Sequence, residues 1–133
     1  MGRSAVALDL DRVAVRRGAL GVLMFVAPAY VIAEVAAAGD DSSPVWLLLA
    51  AALLFGATFG GYAGARDRPP TPMTHGAISA GGGLSIVFVA ALIVQAFRGH
   101  LTLTAALTAL VMLQIGTALG CLGGLLADRG MRP

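Results

Sequence analysis

Hydrophobic residues run along this chain in four long blocks, broken by short clusters of charged residues, glycine and proline. The blocks extend from Gly18 to Ala38, Val45 to Ala65, Thr74 to Phe97 and Leu101 to Ala127. About twenty helical residues, at ~1.5 Å each, cross the ~30 Å hydrocarbon core of a bilayer. Each block is long enough. Hydrocarbon offers no partners for backbone N–H and C=O groups, so the blocks are predicted as transmembrane helices.

The breaks carry turn chemistry. Gly39-Asp40-Asp41-Ser42-Ser43-Pro44 separates the first two blocks, and Pro44 suits the first turn of the next helix. The segment 66–73 separates the middle two. Its three prolines, Pro69, Pro70 and Pro72, forbid one continuous helix. Arg98-Gly99-His100 is a tight turn before the last block. Links this short favour antiparallel neighbours. The expected fold is therefore an all-α integral membrane protein with four transmembrane helices arranged as two tandem helical hairpins.

Arginine placement sets the expected orientation. Arg3, Arg12, Arg16 and Arg17 precede the first helix, in the segment 1–17. Arg66 and Arg68 lie between the second and third helices, and Arg129 and Arg132 lie in the segment 128–133. Arg98 alone falls on the other side. The positive-inside rule puts the eight in the cytoplasm, so both ends of the chain are expected there. Trp46 then falls at the outer boundary, where indole rings settle.

Composition agrees with this reading. Of 133 residues, 58% are hydrophobic and 12% charged, against about 25% charged in soluble domains. So little charge could not cover a soluble core. The net charge of +2 does not signal nucleic-acid binding, because the arginines sit in short flanks between apolar blocks. Cys121 is the only cysteine and lies inside an apolar block, so it reads as a small packing residue. No Cys/His cluster offers a metal site, and no cofactor is expected.

The first block also mimics a signal peptide, with Arg16-Arg17 before it and Ala36-Ala37-Ala38 at its end. It exceeds the usual apolar region of about 7–15 residues and contains Glu34, so it is expected to stay as a helix. Ahead of it, Val6, Leu8, Leu10, Val13 and Val15 interleave with Asp9, Asp11 and Arg12. That pattern fits either an interfacial segment or a tail with a frayed helix start.

Two glycine triplets stand out. The second helix carries Gly56, Gly60 and Gly64, and the fourth carries Gly116, Gly120 and Gly124. Residues four apart share a helix face, so each helix presents a groove that a neighbour can approach closely. The halves also echo each other. Gly18-Ala19-Leu20 and Gly76-Ala77-Ile78 open them, while Gly60-Gly61 with Arg66 and Gly123-Gly124 with Arg129 close them. Gly81-Gly82-Gly83 is either a flexible point or a small-residue packing face.

Polar groups at depth are few. Glu34 is the one acid inside a predicted span, and such acids are functional candidates. It lies close to the outer boundary, where interfacial water can reach it. Gln114 is mid-span in the fourth helix and is expected to form an interhelical hydrogen bond. Thr58, Ser85 and Thr117 can bond carbonyls of their own helices, and Pro28 is expected to kink the first. Thr74 is expected to cap the third helix, with His75 able to titrate near neutrality. His75 and His100 fall on opposite sides.

The tandem hairpins, the Gly-Gly-x-x-x-x-Arg endings and the Pro72-Met73-Thr74-His75-Gly76 entry resemble small four-helix bacterial membrane proteins of the YrzE-like kind, over roughly residues 10–130. The resemblance implies the topology and a bacterial plasma membrane, and it carries over no functional residue.

Two functions fit these features. A structural or accessory protein, binding itself or a larger complex, needs small-residue ridges and few buried charges. A small transporter or channel would use Glu34. An enzyme has no nucleophile–base pair, metal-ligand set or phosphate loop here to rest on. A water-filled path to both Glu34 and Gln114 would favour transport, and a dry, closed bundle the accessory role. The partners expected are the lipid bilayer and either a second copy or a larger membrane complex, with no nucleic acid.

Overall fold

Asp11 starts the first helix. Its Oδ1 accepts the N–H groups of Val13 (2.8 Å) and Ala14 (3.4 Å), the bonding of an N-cap. In a computed structural model, which describes residues 10–37, 39–40, 42–67 and 70–130, the helix α1 therefore spans Arg12–Ala37. It begins ahead of the apolar block that starts at Gly18 and runs on through Pro28. The described residues form three further helices: α2 (Val45–Ala65), α3 (Pro72–Phe97) and α4 (Leu103–Gly130). All four are long and apolar enough to cross a membrane. Arg3, Asp9, Asp41, Arg68 and Arg132 lie outside the described residues, as do Val6, Leu8, Ala38 and Pro69.

Each boundary has a local cause. Gly39 and Gly99 adopt φ of +86° and +71°, a left-handed conformation that favours glycine and stops a helix. Pro72 occupies the first turn of α3, with Thr71 as N-cap, because proline lacks the N–H that this position leaves free. Thr74 thus lies inside the helix and is not its cap. The Thr71 carbonyl accepts from the His75 N–H at 3.1 Å. Thr102 Oγ1 accepts from the Ala105 N–H at 3.1 Å and caps α4, which places that helix start after Leu101.

Every pair of helices touches except α1 with α4. α2 and α3 therefore lie on the short diagonal of the bundle, with α1 and α4 on either side. Buried residues of α1 fall in one stripe: Ala14, Gly18, Val22, Val26, Ala29, Ala33 and Ala37. Those of α4 are Gly116, Gly120, Gly123, Gly124 and Ala127, all in its second half. One end carries the 66–71 link and the starts of α1 and α3; we call it the linker end. The other carries the two hairpin turns; we call it the turn end. The linker half is packed with small residues, and the turn half is looser. Between them Val22, Val26, Leu53, Ala57, Ala80, Leu84 and Val87 form the hydrophobic core.

Candidate functional site

The glycine triplets lie at helix contacts within the chain. A Cβ on Gly60 would strike the Val22 side chain and approach the Gly18 carbonyl. One on Gly56 would press on Val26 and Phe25, and one on Gly64 on Ser79. Gly56 and Gly60 therefore face α1, and Gly64 faces α3. In α4, Gly116 receives Leu84, Gly120 receives Ala80 and the Gly76 carbonyl, and Gly124 receives the Pro72 carbonyl. All three face α3. The α2–α4 approach uses different residues as well: Gly61 lies against the Gly120 backbone, and Gly123 against the Thr58 carbonyl. Of the middle triplet, Gly83 packs on Ala19 and Val22, Gly81 meets Thr117, and Gly82 faces open space.

His75 is the hub of the linker end, at 1% exposure. Its Nε2 accepts the Asp11 N–H at 3.2 Å. A backbone N–H can only donate, so the ring proton sits on Nδ1. There it faces the Thr71 carbonyl and hydroxyl, both at 3.0 Å. The ring thereby joins the start of α1 to the start of α3. Nearby, Arg17 donates to Asp67 (2.9 Å) and to the Ala63 carbonyl (3.0 Å), tying α1 to the end of α2. His100 lies exposed at the turn end, far along the bundle from His75.

Glu34 is not simply hydrated. Its Oε2 accepts from Arg98 Nη1 at 2.8 Å, with the carboxylate side chain 24% exposed and the arginine 59%. The pair ties α1 to the α3–α4 turn. Below it, the Tyr30 hydroxyl approaches Glu34 but meets no partner in hydrogen-bonding geometry, although it is shut off from solvent.

Glu34 and Tyr30 border a cavity of about 690 Å³ at the turn end. All four helices line it. Glu34, Gln95 and Thr108 supply polar groups, and Val26, Leu53, Val87 and Met112 supply apolar wall. The volume lies inside the ~300–1,000 Å³ range of small-molecule sites. Trp46 closes one side, held by its Nε1 donating to the Asp40 carbonyl at 3.1 Å. The Asp40 carboxylate in turn accepts from the Ser42 hydroxyl (2.6 Å) and N–H (2.9 Å). Those bonds hold its pKa below the usual value, the hydroxyl contributing most.

Gln114 does not line this cavity. It lies on the exposed face of α4 and makes no hydrogen bond in the described structure, so the expected interhelical bond is not formed within one chain. Thr58, Ser85 and Thr117 each donate to the carbonyl four residues back, at 2.9, 2.7 and 2.8 Å. Cys121 is a free thiol, half-buried. Among the described residues no three His, Cys, Asp or Glu side chains gather as metal ligands would.

No family model, curated protein or solved structure matches this chain. Its class rests on its own architecture: the described residues form an all-helical bundle of four helices, each long and apolar enough to span a membrane.

The cavity was not legible from sequence, because its walls come from four separate segments. The Glu34–Arg98 pair had one signal: the one acid inside a predicted span and the one arginine on the expected outer side fall near the same predicted boundary.

Proposed function

We propose that this chain is a multi-pass protein of the bacterial plasma membrane, with both ends in the cytoplasm, and that it acts as a structural or accessory bundle by associating with a second copy of itself. Large apolar side chains such as Met24, Phe55, Val89 and Leu110 are more than half exposed, and lipid is the solvent that tolerates such a surface. The arginine asymmetry supports the orientation.

Gln114 carries the argument for association. A primary amide mid-span on an exposed helix face loses its hydrogen bonds to hydrocarbon unless another helix covers it. Leu107, Val111, Gln114, Ala118 and Leu122 are exposed at spacings of four, three, four and four, the register of a helix–helix seam. Two copies related by a two-fold axis would bring both amides together, each donating and accepting. Interhelical bonds of this kind contribute about 0.6–2 kcal/mol, so Gln114→Leu is expected to weaken association roughly 3- to 30-fold. Dimer fraction against protein-to-detergent ratio measures this. Undiminished dimer in Gln114→Leu, or a monomer at all ratios in wild type, would contradict the seam.

A small transporter or channel using Glu34 is the second reading, and the cavity beside Glu34 favours it. Against it stand the Arg98 partner, the close backbone packing of the linker half, and the position of Gln114 off the cavity. Substrate-dependent proton flux in liposomes, lost in Glu34→Gln, would establish transport over the accessory role.

A further inference from the structure

We propose that the turn-end cavity binds the headgroup and upper chain of a zwitterionic phospholipid whose head is a primary ammonium, the phosphoethanolamine class. The proposal rests on the membrane reading given above and goes beyond it.

Charge is the first consideration. Glu34, on the cavity wall, forms a neutral pair with Arg98 that is half-open to solvent. A net cation would match Glu34 alone, and a net anion Arg98 alone. A zwitterion matches both, with its ammonium on Glu34 and its phosphate on the Arg98 guanidinium, a strong charge-assisted contact.

The second consideration is the polar wall beside Glu34. Gln95 lines the cavity with it. An ammonium on Glu34 could also donate to the Gln95 side-chain oxygen. It has three N–H donors to distribute. A choline head has none, which selects ethanolamine over choline.

The third is shape. The cavity runs from this polar rim to Val26, Leu53, Val87 and Met112. At about 30 Å³ per water-sized group, it has room for about two dozen non-hydrogen atoms, enough for a headgroup and the upper part of one chain. A second chain would remain among bulk lipids.

The test is native mass spectrometry of the purified protein after exchange into micelles containing phosphatidylethanolamine, phosphatidylcholine or phosphatidylglycerol with identical chains. Preferential retention of the ethanolamine lipid is expected. It should fall about tenfold in Glu34→Gln, the effect of one charge-assisted hydrogen bond, and in Ala105→Phe, which fills the cavity from α4. Equal retention of all three lipids would overturn the site. So would an ethanolamine preference unchanged in both variants, or tight binding of the hydrophobic cation tetraphenylphosphonium without any such preference. None of these outcomes touches the membrane reading, which fails separately if the protein does not fractionate with membranes.

Discussion

A glycine at a helix crossing is felt through the atom that it lacks. Spacing made the triplets visible in the sequence, but their partners were not visible, because spacing defines a face and not what meets it. Gly60 lies against Val22 and Gly18, and Gly120 against Ala80 and Gly76. Gly60→Leu and Gly120→Leu should each force a crossing apart and cost about 1–3 kcal/mol or more, read as a lower melting temperature in detergent. Gly82→Leu is the control, since nothing lies near a side chain there. Equal melting of all three variants would mean that the crossings tolerate separation. Glu34 teaches a related lesson. Its place near a boundary was readable, while its Arg98 partner, distant in sequence, needed the fold.

At the scale of elements, apolar blocks marked α2 to the residue, because Pro44 and Arg66-Asp67 bound it sharply. The start of α1 was obscured by its charges. Asp11 in fact caps the helix, and a capping Asp followed by helix formers was the available signal. Thr74 looked like the cap of α3, yet Pro72 sets the first turn and shifts the cap to Thr71. The α1–α2 turn offers a pH test. Ser42→Ala removes the hydroxyl that contributes most to lowering the Asp40 pKa, so the Asp40 carboxyl should titrate at higher pH in the variant. Because the folded pKa is depressed, the stabilisation linked to it is present above the unfolded pKa and is lost as pH falls through the folded one. Side-chain carbon NMR of Asp40 across acidic pH measures the change. An unchanged titration would show that the hydroxyl contact is not kept in solution.

The whole molecule is tight at one end and open at the other, and this contrast arises from where the small residues fall. α4 has its buried residues only from Gly116 onward, while its first half lines the cavity with Ala105, Thr108, Ala109 and Met112. Block length and hydropathy revealed four helices but could not reveal this splay, which depends on how four segments diverge. In the proposed orientation the cavity opens outward and the His75 hub faces the cytoplasm. The proposed seam at Gln114 and the proposed lipid site both presuppose four spanning helices, and the proposed orientation puts both ends inside. Single cysteines at Ser42 and Pro70, in a Cys121→Ser background, test it with an impermeant thiol reagent on intact cells. Labelling is expected at position 42 in intact cells and at position 70 only after permeabilisation; labelling at position 70 in intact cells would contradict the proposed topology.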